Sequence, residues 1–317
     1  MAGPIKTLFI SNGRPGAAQW FDRTFAAPSA PLEASWVSID PEGRVIAHVA
    51  ALPLRLLHGA DELTGAVLCN LISDQERSTF FPILAVVKRA VSDLRAEGAE
   101  FILTNPSNAG AVAVMKTAGL RQVATHSRYL CPLGDERRPL DALIGIYLRV
   151  HRLLASRLLA DPVSPLVAAE WTVEHSATGA TVTARRTPRQ YAMRFDGFGG
   201  GDDLGFILRD SRGEEVGAAL VRLDRSDASA GLLTLRCTRS EHVQAAVSAL
   251  SLALRARGAR RLNALAIVGS RFARGLVRGG FVPRPETCVI VGIGFTDAAR
   301  AAVEAVRDSD IERVDLD

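Results

Sequence analysis

Two stretches of this chain, residues 17–130 and 187–292, follow the same order of features. Each begins with an aromatic residue shortly before an arginine, turns into an apolar strand, continues through an alanine-rich helix that ends at a glycine, and closes on a glycine beside an apolar residue. The matched positions are Trp20 and Tyr191, Arg23 and Arg194, Gly43 and Gly213, Gly98 and Gly258, and Gly119 and Gly280. They are 171 and 170 residues apart at the front and 160 and 161 at the back. A single internal period of this length predicts two copies of one domain, the second shorter in its middle.

Composition limits the classes of protein to which the chain can belong. Its 317 residues are 48% hydrophobic and 23% charged, which is typical of a folded chain with room for two domains. The formal charge is +4, and the basic residues are scattered along the chain. They do not form the basic stripe with interleaved aromatic residues that is typical of nucleic-acid binding. We therefore expect no nucleic-acid partner on the evidence of charge.

Cysteine spacing and apolar run length argue against a metal site and a membrane span. The four cysteines, Cys69, Cys131, Cys237 and Cys288, lack the paired spacing of a metal site, so we expect no metal. The longest apolar runs are too short to cross a bilayer, and the N-terminal residues lack the apolar core of a signal peptide. The sequence therefore predicts a cytoplasmic protein without a membrane partner.

Hydrophobic periodicity predicts the same elements in both copies: a β-hairpin, a strand, a helix, a strand, a helix and a strand. In the first copy, apolar residues at helical spacing cover 81–97, ended by Gly98, and a second helix covers 108–117. Strands alternating with helices after an antiparallel start are typical of a mixed sheet. We therefore predict an α/β (α+β) fold in which each copy is a mixed, mostly antiparallel sheet flanked by helices.

The boundary between the copies is predicted from a helical period followed by two prolines. Apolar residues at helical spacing run from Leu140 to Leu159, and Pro162 and Pro165 cannot continue that helix. The predicted division is an N-terminal domain over 1–135, a linker helix over 136–165 and a C-terminal domain over 166–317. A hairpin is predicted over 171–183, with Thr178 and Gly179 at its turn.

The order of elements resembles the GCN5-related N-acetyltransferase (GNAT) fold. The turn and strand over 40–48 look like the family's "GxivG" strand, and 66–84 lies where the family has its acyl-CoA strand and pyrophosphate loop. The segment 108–120 is similar to the family's "N-x-x-A" helix that closes on Gly-Phe, here Gly119-Leu120. The resemblance covers about 220 residues and implies two tandem GNAT-like domains. It also implies transfer of an acyl group from acetyl-CoA, or another acyl-CoA, to an amine.

The resemblance assigns candidate cofactor-binding residues to the first copy. The family's glycine-rich phosphate loop falls on Arg77-Ser78-Thr79-Phe80, which contains no glycine, although the hydroxyls of Ser78 and Thr79 can still cap the helix. The second copy has an acidic residue, Glu241, in this region and is expected to be structural or acceptor-shaping. The candidate cofactor-binding residues are Arg77, Ser78, Thr79, Phe80, Asn105 and Asn108.

Candidate catalytic residues lie beyond the central strand and on the last strand of the first copy. Asp74 and Glu76 follow the central strand, where a carboxylate can take the proton of an amine, and Tyr129 lies on the last strand. The family's usual tyrosine acid falls on Met115 in the first copy and Leu276 in the second, and neither can donate a proton. A solvated loop carboxylate, a helix cap and a core tyrosine are the structural alternatives for Asp74, Asn108 and Tyr129.

Three functions remain open at this point. The first is an N-acyltransferase that acts on the amine of a small molecule, with its active site in the first copy. The second is a FemABX-like or carrier-protein-dependent transferase, which would bring an aminoacyl-tRNA or a carrier thioester as donor. The third is a non-catalytic GNAT-like binding protein. We expect a monomer or a homodimer, because two copies within one chain already form a pseudo-dimer.

Overall fold

The structure is a computed structural model that describes residues 2–14, 18, 21, 31–74, 80–133, 158–175, 182–185, 202–239 and 242–309. These residues form two compact units. Unit 1 comprises residues 1–125, 288–307 and 315–317, and unit 2 comprises residues 126–287 and 308–314. The predicted bounds at 135 and 165 stay a prediction, because most of the predicted linker lies outside the described residues.

The described residues contain seven helices and twelve strands. The helices are α1 (Ala2–Ser11), α2 (Phe80–Ala96), α3 (Ala109–Thr117), α4 (Pro165–Glu174), α5 (His242–Arg255), α6 (Arg271–Arg278) and α7 (Asp297–Ala305). The strands are β1 (Ala34–Ile39), β2 (Val45–His58), β3 (Asp61–Ser73), β4 (Phe101–Thr104), β5 (Arg121–Pro132), β6 (Leu159–Val163), β7 (Val182–Arg185), β8 (Asp202–Arg209), β9 (Glu215–Asp224), β10 (Ser229–Cys237), β11 (Arg261–Ile267) and β12 (Val282–Gly294).

Unit 1 contains a sheet with the order β1-β2-β3-β4-β12. Pairing is antiparallel between β1 and β2, between β2 and β3, and between β4 and the end of β12, while β3 and β4 pair in parallel. One face packs on α2 and α3 through an apolar core that includes Ala47, Val87 and Met115. The other face packs on α1 through Phe9, and Phe21 joins that cluster.

Unit 2 repeats this arrangement with the order β5-β11-β10-β9-β8-β6. Its one parallel pair is β10 with β11, and its other pairs are antiparallel. Helices α5 and α6 cover one face, and α4 packs on β8 and β9 through Trp171. The predicted fold class, a mixed and mostly antiparallel sheet flanked by helices, is confirmed in each unit.

Matching hydrogen bonds occur at matching positions of the two sequence copies. In the β1–β2 turn the Gly43 N–H donates to the Asp40 carbonyl at 3.0 Å, and in the β8–β9 turn the Gly213 N–H donates to the Asp210 carbonyl at 3.0 Å. Both glycines have a positive φ, 80° and 82°, which costs little without a Cβ. The long helices of the copies also end alike, with Gly98 at a φ of 93° and Gly258 at 86°. Local turn and cap chemistry therefore recurs at the offsets that the sequence shows.

Each unit takes one strand from the other half of the sequence. In unit 1 the antiparallel partner of β4 is the end of β12, where Val291 pairs with Thr104. In unit 2 the antiparallel partner of β11 is β5, where Tyr129 pairs with Ala264. The last strand of each copy is thus exchanged, so neither sheet is built from the strands of one sequence copy alone.

Two predicted elements between the copies are wrong. Residues 159–163, placed at the end of the linker helix and its break, form strand β6, which pairs with β8. Residues 165–174 form helix α4, with Ser164 as its N-cap, so Trp171 lies in a helix and not in a hairpin. Proline at the first helical position favours this start, because it needs no N–H there. Most of the predicted helix over 140–159 lies outside the described residues, as do Trp20, Arg23, Tyr191 and Arg194.

Within the described ranges, the structure has no helix that is both long enough and apolar enough to pass through a membrane.

Candidate functional site

Strand β4 of unit 1 pairs with β3 along its whole length, and β3 extends beyond the end of β4. Their parallel register runs from Gly65 opposite Phe101 to Leu68 opposite Thr104. Strand β3 continues five residues further, to Ser73, whereas β4 ends at Thr104. Beyond Leu68, β3 therefore has no regular pairing with β4, and we call the region between this part of β3 and the residues after β4 the β3–β4 cleft. Such a gap exposes backbone N–H and C=O groups that a ligand can bind.

A β-bulge in β3 lies where this separation begins. His48 of β2 pairs with Ile72 and Ala50 pairs with Cys69, so two residues of β3 stand opposite one residue of β2. One of the two is Asn70, whose φ of 52° is in the left-handed region that asparagine tolerates better than most residues. A bulge bends its strand and increases the twist, and Asn70 lies two residues beyond Leu68, the last residue of β3 that pairs with β4. The bulge was not predicted from the sequence, in which a polar asparagine within an apolar strand is the signal for it.

Asn105 lies at the mouth of the β3–β4 cleft, directly after the last residue of β4. Its side-chain Oδ1 is buried and has no hydrogen-bond partner among the described residues. A buried amide oxygen without a partner costs about 1–3 kcal/mol. This predicted cofactor-binding residue therefore carries an unsatisfied acceptor directly after the end of β4.

The helix after the cleft is α2, which begins at Phe80. Phe80 and Phe81 are 42% and 75% exposed, and their rings make an edge contact with centroids 6.2 Å apart. The first N–H groups of a helix have no intrahelical partner, and its dipole favours an anion there. Of the predicted cofactor residues, Arg77, Ser78 and Thr79 lie outside the described residues, as does the predicted base Glu76.

Asp74, the other predicted base, directly follows the end of β3. Its backbone N–H donates to the Ile46 carbonyl at 2.9 Å, which holds this residue against β2. Its side chain is partly exposed. The structure therefore brings Asp74, Asn105 and the start of α2 to the carboxyl ends of the parallel pair in unit 1.

Asn108 acts as the N-cap of α3. Its side-chain Oδ1 accepts from the Ala111 N–H at 2.9 Å, and its backbone is extended. Ser270 has the same role in unit 2, accepting from the Ala273 N–H at 3.0 Å at the start of α6. Capping accounts for Asn108 without a ligand, since asparagine and serine are both favoured N-caps.

Tyr129 lies in unit 2, in the apolar core that contains β5 and β11, and is 4% exposed. Burial raises the pKa of its phenol above the usual value. Its predicted catalytic partners Asp74 and Glu76 belong to unit 1 by sequence. The strand exchange explains the difference, because β5 closes the first sequence copy but pairs with β11.

The two positions at which the family carries its proton-donating tyrosine hold buried, apolar side chains. Met115 on α3 is 1% exposed in the core of unit 1, and Leu276 on α6 is 0% exposed in the core of unit 2. Neither side chain carries a proton that can be donated. In the described part of the chain, no group of three or more His, Cys, Asp or Glu side chains could hold a metal ion.

Unit 2 contains a cleft of the same kind. Strands β10 and β11 pair only from Ser229 opposite Arg261 to Gly231 opposite Asn263, and β10 then continues to Cys237. A bulge at Leu233 of β10 lies two residues after the last pair, at Gly231. The Thr238 N–H donates to the Val216 carbonyl at 2.9 Å, as Asp74 does to Ile46. In unit 2, Thr238 therefore occupies the position that the carboxylate residue Asp74 has in unit 1.

Comparison with known proteins finds likeness in structure alone. No protein-family model and no curated protein sequence matches the chain. A GCN5-related N-acetyltransferase from Anabaena variabilis is 12% identical with a TM-score of 0.63, over 92% of this chain and 68% of that one. A conserved protein from Enterococcus faecalis, described as a probable N-acyltransferase, is 12% identical with a TM-score of 0.64, over 96% of this chain and 71% of that one.

Eis1 from Mycobacterium abscessus is a third similar structure, with a TM-score of 0.53 and 13% identity over 86% of this chain and 69% of that one. At these identities the likeness shows the fold. The predicted resemblance to the GCN5-related N-acetyltransferase fold is therefore confirmed, and the chain spans about seven tenths of the length of these three proteins.

Proposed function

We propose that the chain is an N-acyltransferase that moves an acetyl or other acyl group from acyl-CoA to the amine of a small molecule, with its active site in unit 1. The observation that carries this proposal is the β3–β4 cleft. Its parallel pairing stops at Leu68 and Thr104 while β3 runs on to Ser73, and the buried Oδ1 of Asn105 stands beside it without a partner among the described residues.

The cleft suits the pantetheine arm of CoA, which carries two amides. Backbone groups of β3 beyond Leu68 face the opening and can pair with them, and the Asn105 Oδ1 can accept from a pantetheine N–H. The pyrophosphate would lie at the start of α2, near Phe80, where helix N–H groups favour an anion. Arg77, Ser78 and Thr79 directly precede this helix in sequence and remain the proposed contacts of the phosphates.

The transfer step needs a base for the attacking amine. The amine nitrogen attacks the thioester carbonyl carbon, Asp74 at the end of β3 takes the proton of that nitrogen, and the C–S bond breaks to release the CoA thiolate. Glu76 is the alternative base. Because Met115 occupies the position of the family's acid and is buried, the thiolate takes its proton from water. Tyr129 is left out of this proposal because it lies in unit 2.

We extend the proposal to the acceptor, the cellular location and the oligomeric state. The acceptor is a small-molecule amine, the location is cytoplasmic, and the chain is a monomer or a homodimer. A similar structure, with a TM-score of 0.58, is a fungal multi-domain protein described as having a glucosamine N-acetyltransferase region. We therefore include amino sugars among the first acceptors to test.

A second function, binding of acyl-CoA without transfer, is favoured by one observation. Met115 and Leu276 fill the two acid positions, and both are buried. A protein that only binds needs the cleft but no proton donor.

Titration calorimetry with acetyl-CoA, followed by a thiol-release assay with a panel of amines, tests both functions. Binding with release of CoA thiol supports the transferase. Binding without thiol release for any amine supports the binding protein. Absence of acetyl-CoA binding overturns both, and RNA that co-purifies with the chain would then favour the aminoacyl-tRNA donor.

A further inference from the structure

His48 of β2 is fully buried on the face of the unit 1 sheet that α1 covers. Its relative exposure is 0%. The rings of Phe9 and Phe21 meet the imidazole edge-on, with centroids 5.4 Å and 5.5 Å away. An imidazole in such apolar surroundings is expected to be neutral, and burial lowers the pKa of His48 to about 4. Because Phe9 and Phe21 cover the ring, His48 is not placed to take a proton from a substrate.

The hydrogen bond of His48 determines which ring nitrogen carries the proton. Nδ1 lies 3.2 Å from the backbone carbonyl oxygen of Asn70. A carbonyl oxygen only accepts, so the proton of the neutral ring is on Nδ1 and Nε2 is a bare acceptor. Nε2 is itself buried without a hydrogen-bond partner among the described residues. The one bond that the ring makes is therefore the bond to the β3 backbone.

Asn70 is the residue on which the bulge of β3 depends. It has a φ of 52°, and it lies in the extra position between Cys69 and Ile72. A bulge leaves backbone groups outside the regular strand pairing, and each such group buried without a partner is costly. The Nδ1–H of His48 donates to the Asn70 carbonyl within this bulge. Only two residues before Asn70, Leu68 makes the last pair with β4.

Unit 2 shows what the same place looks like without the histidine. Ala218 pairs with Arg236 as His48 pairs with Ile72, at the same offset of 170 as the matched turn glycines. An alanine side chain has no hydrogen-bonding group. The bulge of unit 2 is at Leu233, which is not among the residues with positive φ. The histidine-to-backbone bond is thus a feature of the unit 1 cleft.

We propose that His48 is a positioning residue for the acyl donor: its Nδ1–H holds the Asn70 carbonyl and so fixes the bulge that separates β3 from β4. The proposal rests on the proposed function of the β3–β4 cleft. Loss of the bond lets β3 relax toward regular pairing and narrows the cleft for the pantetheine. His48 acts through Asn70 and does not touch the reacting atoms.

Two substitutions of His48 separate the hydrogen bond from the volume of the ring. His48→Asn places an amide N–H near the position of Nδ1, whereas His48→Phe keeps the ring and removes the donor. In titrations of the full-length chain with acetyl-CoA, His48→Phe should weaken binding by about tenfold, and His48→Asn should stay within about threefold of the original chain. In the transfer assay the loss should appear in KM for acetyl-CoA more than in kcat.

The bulge can also be tested from the other side of the bond. Asn70→Gly keeps the left-handed backbone accessible, whereas Asn70→Val disfavours it strongly. Asn70→Val should weaken acetyl-CoA binding as His48→Phe does, and Asn70→Gly should retain it. This pair keeps the proposal testable if His48→Phe does not fold.

The outcomes distinguish the two proposals. If the original chain does not bind acetyl-CoA, the proposed function fails and the role of His48 in donor binding fails with it. If the original chain binds, but His48→Phe binds equally well or His48→Asn loses as much affinity as His48→Phe, the proposed function stands and the role of His48 is overturned. If the original chain binds acetyl-CoA and Asn70→Val and Asn70→Gly bind it with equal affinity, the role of His48 is likewise overturned.

Discussion

The Nδ1 atom of His48 on β2 lies 3.2 Å from the carbonyl oxygen of Asn70 on β3, where β3 carries one residue more than its partner strand. This bond joins a buried side chain to an irregular stretch of backbone at the mouth of the β3–β4 cleft. The burial of His48, the conformation of Asn70 and the opening of the strands are therefore expected to change together.

Acid should destabilise the chain through His48. The pKa of this imidazole is lowered from 6.5 to about 4 in the folded protein, because burial disfavours the charged ring. Between these values the unfolded chain binds the proton and the folded chain does not, so stability is complete above pH 6.5 and falls as the pH drops toward 4. We expect this group to cost about 2 kcal/mol at pH 5 relative to neutral pH. Denaturant unfolding at several pH values should show a shallower fall in the free energy of unfolding for His48→Phe, and parallel curves would contradict the assignment.

The helix caps Asn108 and Ser270 form a matched pair. Each accepts one N–H at the start of its helix, from Ala111 and Ala273. Asn108→Ala and Ser270→Ala should each lower the free energy of unfolding by about 1 kcal/mol, and Asn108→Ser should restore most of it. If Asn108 also binds CoA, acetyl-CoA affinity should fall for Asn108→Ala and not for Ser270→Ala. Unchanged affinity in both variants would leave Asn108 as a cap alone.

The buried Oδ1 of Asn105 should matter for the acyl donor. Asn105→Leu removes the Oδ1 acceptor, which has no hydrogen-bond partner among the described residues. The substitution therefore breaks no hydrogen bond of this atom within the described part of the chain. Acetyl-CoA affinity should fall by about tenfold, corresponding to about 1.4 kcal/mol, with little loss of stability. Asn263→Leu in unit 2 is the control, because Asn263 accepts from Arg128 at 3.1 Å and belongs to the other cleft. An equal loss of affinity in both variants would contradict a donor site in unit 1.

Close approach of β3 to β4 before they separate requires glycine at position 65. A Cβ there would clash with the Phe101 backbone oxygen, which cannot move without disturbing the strand pair. Gly65→Ala should therefore cost about 2 kcal/mol or more of stability. At Gly231, in the parallel pair of unit 2, a Cβ would meet only the Arg222 oxygen at 3.9 Å. Gly231→Ala should change the free energy of unfolding by less than about 0.5 kcal/mol, and similar losses for both variants would show that the contact is relieved elsewhere.

Elements that depend on nearby residues were predictable from the sequence. The helix predicted over 81–97 is α2, Phe80–Ala96, and the helix predicted over 108–117 is α3 with Asn108 as its cap. Gly98 and Gly119 end these helices with positive φ. Amphipathic spacing, caps and turn glycines act within a few residues, so their physical cause is contained in the local sequence.

Features that depend on distant pairing were not predictable. The final strand of the first copy belongs to unit 2, so Tyr129 lies in a core that its position in the sequence does not suggest. Strand β6 lies where the end of the linker helix was predicted, and helix α4 covers the start of the predicted hairpin. Pairing of β6 with β8 and packing of α4 on β9 stabilise these conformations. Single-chain periodicity contains no information about which strand a given strand will join.

The sequence by itself predicted a duplication, most helices and strands within each copy, and the fold family that their order resembles. These follow from residue spacing and from the conformational preferences of single residues. Only the tertiary structure decided the strand exchange, the β3–β4 cleft and the bond between His48 and Asn70. His48 and Asn70 are 22 positions apart in the sequence, and the bulge that shapes the cleft exists only once the register of β2 and β3 is formed.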